Sequence, residues 1–575
     1  MRKLLKYLGN YKKEAVLSPL FKLLEASFEL LVPLVMVSVI DTGIAEGNRR
    51  FIYSRGILLA CMGIVGLCSA VVAQYFASKA AAGFGTELRN DLFRHIMGLS
   101  RAETDKIGQA TLITRMTNDS NQIQNGVNMF FRLVLRSPLI VFGAMGLAYS
   151  ISGPEGLLFT AVIAVLFVIV FFIMRRSVSL YRTVQRKLDG VLRSTTESLE
   201  GVRVIRAFRR EEAEKDAYRA ASEDLSEQQI LVGKISALMN PLTYVIINLA
   251  LAAVLHTGAV RVNAGDLTQG QVVALVNYIS QILVELLKIA SLIILLSKAS
   301  ACANRIEEVF EIHNAMKDGC ENALAAEPSV EFRNVGFSYP ESPTESLSGV
   351  SFLAKPGEHI GIIGGTGAGK TTLASLIMRY YDADSGEVLV GGRNIREYSL
   401  ESLRKFVGIV EQNARLFSGT IRENLLWGDA DADDGALASA AEAAQAAGVI
   451  SGKKNGLGAS VGQLGRNFSG GQKQRLSIAR TLVRKPRILI LDDSSSALDF
   501  ATDAALRKGL RTYCGDSTVF IISQRVTSIK NSDHIVVLDD GKMVGFGTHA
   551  ELVRACPVYN EICLSQLSEK EAAAI

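Results

Sequence analysis

Gly364-Gly365-Thr366-Gly367-Ala368-Gly369-Lys370-Thr371 is the stretch that decides the fold of the C-terminal part of this chain. It has the spacing G-x-x-x-x-G-K-[S/T], follows the apolar run Ile360–Ile363 and opens the apolar-periodic segment Thr372–Tyr380, so we expect it to join a strand to a helix. The glycines let backbone N–H groups approach phosphate oxygens, Lys370 can reach the terminal phosphates, and Thr371 offers an oxygen to Mg²⁺. The stretch therefore predicts a phosphate-binding loop.

A flexible glycine-rich loop is the alternative interpretation. A second motif, which is acidic, argues against it. Ile488–Asp492 is typical of a buried strand that ends in a carboxylate, which places a metal-binding side chain beside the phosphates. Strand, helix and acidic strand in this order predict an α/β nucleotide-binding domain over residues 328–575.

Between these two motifs lies Phe468-Ser469-Gly470-Gly471-Gln472-Lys473-Gln474-Arg475, which resembles the signature sequence of ATP-binding-cassette (ABC) transporters. Ser469, Gly470 and Gly471 precede an apolar-periodic helix, so this loop forms a second helix N-terminus able to hold a phosphate. In the family, the loop closes over the γ-phosphate of the ATP that the other cassette of a dimer holds.

Other residues in the same order strengthen the resemblance. Tyr339 matches the aromatic that stacks on adenine, Gln412 matches the glutamine that reaches Mg²⁺ and the attacking water, and Ser496–Asp499 matches the D-loop. The resemblance implies nucleotide binding by Tyr339, Gly364, Gly365, Thr366, Gly367, Ala368, Gly369, Lys370, Thr371, Thr372, Gln412, Ser469, Gly470, Gly471, Gln472 and Asp499. It implies Mg²⁺ ligation by Thr371, Gln412 and Asp492, with ATP as the nucleotide.

Three positions depart from the family pattern, and two of them concern hydrolysis. The usual glutamate after the Walker-B aspartate is Asp493, and the usual switch histidine is Gln524; Gln463 replaces a common glutamate before the signature. Asp493 draws the carboxylate back by one C–C bond, and a misplacement of about 1 Å can cost about 10²-fold in rate. Asp492, Asp493 and Gln524 are the candidate catalytic residues. Tolerated drift with normal hydrolysis is the alternative to a slow site.

These substitutions predict a heterodimer, because each site combines the P-loop of one cassette with the signature of the other. A homodimer would hold two impaired sites. In a heterodimer, a partner half-transporter that carries glutamate and histidine at the positions of Asp493 and Gln524 would own a competent site, and Ser469–Gln472 of this chain would complete it.

The N-terminal part is predicted to cross a membrane six times. The chain has 575 residues, 49% of them hydrophobic, and a mean hydropathy of +0.24, which favours a multidomain membrane protein over a soluble one. Each apolar stretch approaches the roughly 20 residues that span hydrocarbon. The stretches are Ala15–Ile40, Gly56–Ser78, Leu133–Ile151, Gly156–Met174, Leu238–Thr257 and Val272–Leu296. Buried soluble helices are the alternative, and the third stretch is the weakest because Arg132 and Arg136 lie at its start.

Lysine and arginine are concentrated at the N-terminus and in residues 79–136 and 175–234, whereas the opposite loops carry only Arg49, Arg50, Arg55 and Arg261. The asymmetry places both termini in the cytoplasm of a cell with this chain in its cytoplasmic (inner) membrane. The net charge of +5 reflects this asymmetry and does not indicate nucleic-acid binding.

The predicted organisation is a basic interfacial helix (1–14), a membrane domain (15–316), a linker (317–327) and the cassette (328–575). Exporters of the family carry cytoplasmic coupling helices between membrane helices, and on that resemblance Thr111–Asn125 and Glu200–Arg210 are the coupling segments. Solvated helical hairpins without a coupling role are the alternative.

Charged residues inside the first and sixth stretches indicate either a pathway or local pairing. Lys22, Glu25 and Glu29 share one helix face, as do Gln281, Glu285 and Lys288. A net acidic face on the first stretch, carrying Glu25 and Glu29, would suit cationic amphiphiles, and Glu285 is a further candidate for contact with the substrate. Lys–Glu pairing that only sets helix packing is the alternative.

The sequence therefore predicts a six-span α-helical membrane domain joined to an α/β P-loop cassette, similar to bacterial multidrug half-transporters. The expected cargo is an amphiphilic small molecule or a lipid. An importer of metal chelates built on the exporter fold and an ATP-gated regulator that does not pump are the other readings. A soluble repair-type ATPase would not need six apolar stretches.

Overall fold

The computed structural model describes residues 3–321, 327–340, 342, 344–494 and 496–566, which form two compact units. The first unit comprises Met1–Met97 and Ala110–Ile312, and the second comprises Gly98–Gln109 and His313–Ile575. The predicted linker, residues 317–327, lies partly outside the described residues, because 322–326 are not among them.

Long helices make up the first unit. The α-helices up to residue 311 are α1 (Lys12–Ser38), α2 (Arg49–Gly98), α3 (Arg101–Ile107), α4 (Gln109–Thr114), α5 (Ser120–Leu133), α6 (Arg136–Ile151), α7 (Gly153–Glu200), α8 (Val202–Ala207), α9 (Glu211–Ala237), α10 (Met239–Ala264) and α11 (Gln269–Glu311). A 3₁₀ segment, Lys3–Tyr11, precedes α1, and π-helical turns occur at Val39–Ile44 and Arg115–Asp119.

Within the described residues, six helical stretches are long and apolar enough to cross a membrane, as the sequence predicts. They are Lys3–Ile44, Arg49–Gly98, Gln109–Ile151, Gly153–Glu200, Glu211–Ala264 and Gln269–Glu311. The third, which the sequence leaves weakest, is continuous with the helical segments before it. Lipid offers no partner for backbone N–H and C=O groups, so a helix that pairs them internally is the stable form of such stretches.

Side chains set the start of α11. Thr268 caps it in a capping box with Gln271, and Asp41 from the π-helical turn accepts a hydrogen bond from the Gly270 N–H at 2.8 Å. Gly265, with a φ of +83°, ends α10 in the left-handed conformation that glycine adopts without a Cβ penalty. The loop between the fifth and sixth stretches is therefore defined by the Gly265 turn, the Thr268 cap and the hydrogen bond to Asp41.

The N-terminal segment packs on α2. Tyr7 is buried and donates a hydrogen bond to Asp91 Oδ2 at 3.0 Å, and its ring meets Phe84 edge-on. A Cβ at position 83 would lie 2.1 Å from the Tyr11 ring, so Gly83 permits this close approach. Met1 and Arg2 of the predicted interfacial helix lie outside the described residues.

The two predicted coupling segments lie in helical parts of the first unit, and their coupling role stays a prediction. Thr111–Asn125 falls in the first unit, within α4, the turn Arg115–Asp119 and α5, whereas the short helix α3 belongs to the second unit. Ser100, in extended conformation, starts α3, and Gly108, with a φ of +83°, ends it. The second predicted segment, Glu200–Arg210, contains α8 in the first unit.

The second unit is α/β, which confirms the predicted fold class. Its strands are β1 (Val330–Phe337), β2 (Leu347–Ala354), β3 (His359–Gly364), β4 (Ser385–Val390), β5 (Arg393–Asn394), β6 (Val407–Val410), β7 (Gly419–Thr420), β8 (Ser460–Val461), β9 (Ile488–Asp492), β10 (Thr518–Ile522), β11 (His534–Asp539) and β12 (Lys542–Gly547). Its further helices are α12 (Lys370–Ile377), α13 (Leu400–Phe406), α14 (Ile421–Leu426), α15 (Asp434–Ala443), α16 (Ala447–Ser451), α17 (Gly470–Val483), α18 (Phe500–Tyr513), α19 (Val526–Ile529), α20 (His549–Ala555) and α21 (Pro557–Gln566).

The strand order explains where the site forms. The six-stranded sheet runs β12-β11-β3-β10-β9-β6, with β11, β3, β10, β9 and β6 parallel, and an antiparallel sheet runs β2-β1-β4-β5. Strands β3, β10 and β9 are neighbours, and Asp492 pairs with Ile522 at the end of β9. Because parallel strands share one carboxyl edge, the P-loop after β3 and the acidic end of β9 meet there.

Candidate functional site

The P-loop connects β3 to α12 and is held open by its glycines. Gly367 and Gly369 have φ values of +85° and +92°, and a Cβ at Gly369 would lie 2.6 Å from the Ser346 carbonyl oxygen. At Gly367 a Cβ would meet nothing within 4 Å, so the loop borders open space that a phosphate chain fits. Lys370 Nζ donates to the carbonyls of Gly364 at 2.9 Å and Gly365 at 2.6 Å.

Two neighbouring carboxylates face this loop. Asp492 is 4% exposed and accepts a hydrogen bond from Thr371 Oγ1 at 3.2 Å. Burial raises the pKa of Asp492 and of Asp493, and burial lowers the pKa of Lys370 although both carboxylates oppose that change. A cation bound among them would offset the cost of burying two adjacent carboxylates, so the donor set fits Mg²⁺ as well as phosphate.

Asp493 has a constrained backbone. Its φ is +45°, in the left-handed region that aspartate tolerates better than most residues, and its N–H donates to Ile522 O at 2.9 Å. Its Oδ2 accepts a hydrogen bond from Gln412 Nε2 at 3.4 Å. The glutamine and the carboxylate that the sequence assigns to hydrolysis are therefore adjacent.

A cleft of about 330 Å³ collects most of the predicted binding residues. It is lined by Tyr339, Ser346, Thr366, Gly367, Ala368, Gly369, Lys370, Thr371, Thr372, Gln412, Asp492, Asp493, Ile522, Ser523 and Gln524. Tyr339 lies at one end and hydrogen-bonds Thr372 Oγ1 through its hydroxyl at 3.2 Å. Ser346 and Ser523 are lining residues that the motifs do not indicate, although Ser523 directly follows β10 at the shared carboxyl edge.

The signature loop lies elsewhere on the cassette. Ser469 is exposed and caps α17 in a capping box with Gln472. Asp499 caps α18 by accepting a hydrogen bond from the Thr502 backbone N–H, and this bond is the main cause that lowers the pKa of Asp499. In the described part of the chain, neither Ser469–Gln472 nor Asp499 lines the cleft. The signature thus offers a helix N-terminus to solvent.

Gln474 connects the signature helix to the acidic edge, and the sequence argument missed it. It is 3% exposed, donates from Nε2 to the Asp493 carbonyl at 3.5 Å and accepts from the Ala497 N–H at 3.2 Å. A glutamine inside a helix gives no sign of such contacts, because its partners lie on a different loop.

The charged residues of the membrane unit form a network around Arg136. Its guanidinium lies 2.5 Å from Glu285 Oε1, 2.7 Å from Glu29 Oε2 and 3.8 Å from Glu25 Oε1. Lys22 pairs with Glu25 at 2.5 Å, and Lys288 pairs with Glu285 at 2.8 Å. Three cations thus balance three carboxylates from α1, α6 and α11.

This network favours the pairing alternative, and the substrate role of these glutamates stays a prediction. Glu25, Glu29 and Glu285 are compensated by Arg136, which the sequence argument treated only as a weakness of the third stretch. Burying a carboxylate is costly unless a cation pairs with it, so the arginine offsets the cost of placing those glutamates in a helix bundle.

A six-helix membrane unit joined to a P-loop cassette with a signature helix defines an ATP-driven membrane transporter. Two family models match the chain: the ABC transporter transmembrane region over residues 16–286 and ABC transporter over residues 347–496. The chain belongs to the ABC transporter family. Its cassette binds ATP, and its ATPase activity is coupled to transport across a membrane that the chain crosses several times.

Relatives agree over the full length. An uncharacterised ABC transporter ATP-binding protein of Mycobacterium tuberculosis is 36% identical over 97% of this chain and 97% of its own. An ATP-dependent lipid A-core flippase of Photobacterium profundum is 28% identical over 98% and 97%. A multidrug efflux ATP-binding/permease protein of Mycobacterium bovis is 31% identical over 97% of this chain but 46% of its own length.

A solved structure has the same fold. A bacterial Atm1-family ABC exporter with ATP bound superposes with a TM-score of 0.83 at 25% identity, over 97% of this chain and 99% of that one. The exporter-type arrangement of membrane domain and cassette that the sequence predicts is confirmed.

Proposed function

We propose that this chain is one half of a heterodimeric ABC exporter, in which its own site holds ATP and hydrolyses it slowly while its signature loop completes the partner's site. The observation that carries the proposal is the pair Asp493 and Gln524 in a cleft whose P-loop, Walker-B aspartate and Gln412 are intact. Binding and hydrolysis depend on different residues of the same cleft, so one can weaken while the other persists.

The geometry around Asp493 supports slow hydrolysis. Its carboxylate is within 3.4 Å of Gln412 Nε2, and its backbone is fixed by the bond to Ile522. An aspartate on a fixed backbone cannot extend to where a glutamate carboxylate would polarise the attacking water. Gln524 cannot supply the cationic or titrating form of a histidine.

The exposed signature loop supports a partner. Ser469 and the N–H groups at the start of α17 face solvent, and a γ-phosphate held by another cassette would match that helix terminus. The partner would carry glutamate and histidine at the positions of Asp493 and Gln524. Mg²⁺ held by Thr371, Asp492 and Gln412 would neutralise charge on the phosphates in this chain's own site.

The cargo we propose is an amphiphilic small molecule or a lipid. One relative bears the name of a lipid A-core flippase and another that of a multidrug efflux protein, which supports an amphiphile. The match to the efflux protein takes in 46% of its length, which leaves room there for a second half of this kind. The lysine and arginine asymmetry supports cytoplasmic termini and residence in the cytoplasmic membrane.

Two other functions follow from the same fold. An importer would move a metal chelate across the membrane toward the side that holds the cassettes and ATP. An ATP-gated regulator would give currents or change a partner's activity without moving substrate in proportion to ATP hydrolysed.

The decisive experiment compares two substitutions in the complex purified with its partner. Ser469→Ala should remove most ATPase activity, because it strikes the competent site in trans. Lys370→Ala should remove a much smaller part of the ATPase activity, because Lys370 belongs only to the slow site. Equal losses from the two substitutions, or brisk ATPase activity and transport by this chain alone, would refute the division of labour.

A further inference from the structure

Helix α3 is anchored on the cassette unit by residues that no nucleotide motif contains. Ala102 packs against the cassette core, and Arg101 lies over the Tyr380 ring at 5.3 Å from its centroid. Tyr381 donates its hydroxyl hydrogen to Asp105 Oδ2 at 2.7 Å. This contact joins positions 276 residues apart, and a charge-assisted hydrogen bond of that length is among the stronger ones in proteins.

Tyr381 also contacts the nucleotide cleft. Its side chain is 6% exposed, and its ring meets the Tyr339 ring edge-on, with centroids 5.3 Å apart and an interplanar angle of 86°. Phe337 holds Tyr339 from another direction at 5.0 Å. The energy of an edge-on aromatic pair depends on the angle between the rings, so a change in the tilt of the Tyr339 ring changes its contact with Tyr381.

We propose that Tyr381 is a positioning residue that couples base stacking on Tyr339 to Asp105 of α3, so that α3 responds to whether an adenine base is bound. The proposal rests on the assignment of Tyr339 as the residue that takes the base. It differs from the phosphate chemistry of the cleft, which involves Lys370, Asp492 and Gln412.

The connectivity gives the contact a consequence. The chain runs from α2 through α3 into α4, so any restraint on α3 acts on the ends of both neighbouring segments. Arg101 Nη1 also lies 3.6 Å from Glu411, the residue before Gln412. Helix α3 therefore contacts the residue next to Gln412 and, separately, Tyr381, whose ring meets Tyr339.

The test is hydrogen–deuterium exchange of the full-length chain in lipid nanodiscs, followed in peptides that cover residues 98–109. ADP and inorganic pyrophosphate are compared at saturation, because they differ in the nucleoside. ADP should slow exchange there about tenfold more than pyrophosphate does, and Tyr381→Phe should abolish that difference. Pyrophosphate protection should stay unchanged in Tyr381→Phe.

Matched variants separate coupling from mere structure. Tyr380→Phe removes a hydroxyl from the adjacent ring and should keep the ADP-dependent protection. Asp105→Asn keeps an acceptor oxygen and should preserve it, whereas Asp105→Ala should abolish it. If Tyr381→Phe is poorly folded by thermal unfolding, the two Asp105 variants decide.

Several results would overturn the proposal. An ADP-dependent difference that persists in Tyr381→Phe and in Asp105→Ala would do so, as would an equal loss of protection with ADP and pyrophosphate. If Tyr339→Ala weakens the binding of ADP no more than the binding of pyrophosphate, the base lies elsewhere. In that case the assignment of Tyr339 to the base fails, independently of the role of Tyr381.

Discussion

The Arg136 guanidinium lies 2.5 Å from the Glu285 carboxylate, and the same guanidinium reaches Glu29 on a third helix at 2.7 Å. Ser137 Oγ donates to the other oxygen of Glu285 at 2.6 Å. One arginine thus ties α1, α6 and α11 together within the membrane unit. Its removal would leave buried carboxylates without their shared cation.

We expect Arg136→Met to destabilise the chain by about 3–5 kcal/mol, the usual cost of breaking a buried ion pair by deleting one partner. The measurement is thermal unfolding of the detergent-purified chain. Arg136→Lys keeps the charge but loses the planar guanidinium, so its melting temperature should lie between those of the unsubstituted chain and Arg136→Met. Adding Glu285→Gln to Arg136→Met should restore part of the lost stability. A melting temperature unchanged in Arg136→Met would contradict the role of the network.

Asp493→Glu should raise the ATPase rate of this chain's own site, because the longer side chain moves the carboxylate toward the attacking water. The gain expected from correcting a displacement of about 1 Å is up to about 10²-fold, reduced by the strain of a glutamate at a φ of +45°. Phosphate release by complexes carrying Ser469→Ala isolates this site. Asp493→Asn is the control and should change the rate little; a large loss in that control would mean that Asp493 already works as an efficient base.

The pKa of Asp493 gives a pH-dependent stability prediction. Burial raises this pKa, so the folded chain binds the proton more tightly than the unfolded chain. The ionised carboxylate therefore costs folding free energy at pH values above its folded pKa, and the cost disappears as the pH falls through that pKa. Asp493→Asn should raise the melting temperature by about 2 °C at pH 7.5, because the group is partly solvated, and this gain should shrink as the pH falls through the folded pKa of Asp493. A gain that grows toward acid pH would reverse the sign and refute the argument.

Gln474→Met keeps the volume of a buried side chain but removes both of its hydrogen bonds. The Ala497 N–H would lose its acceptor, at a cost of about 1 kcal/mol, whereas the Asp493 carbonyl would keep the hydrogen bond from Ser496 Oγ at 2.9 Å. Urea or thermal unfolding would measure the loss. Gln472→Met is the comparison: it removes only a solvent-exposed capping-box contact at the start of the same helix and should cost less, and equal effects of the two substitutions would argue against the assigned contacts.

The fold and most of the cleft follow from the sequence because their signals are local. Twenty-residue apolar stretches must form helices in lipid, and Gly364–Thr371 carries its glycines, lysine and threonine within one loop. Asp492 is distant in sequence from the P-loop, but it ends a buried strand, and neighbouring parallel strands bring their carboxyl ends together. Tyr339, Gln412, Asp492 and Asp493 could thus be assigned to one site from motif order.

Tertiary structure decided which distant side chains meet. Arg136 was visible in the sequence as an arginine in an apolar helix, but its partners on α1 and α11 depend on how three helices pack. Asp105 and Tyr381 belong to no motif, and Gln474 has no binding role assigned within the signature stretch; their contacts arise only when helices and loops of the same unit come together. Hydrophobic periodicity fixes which stretches form helices and strands, whereas ion pairs and buried hydrogen bonds between remote positions depend on packing that periodicity does not encode.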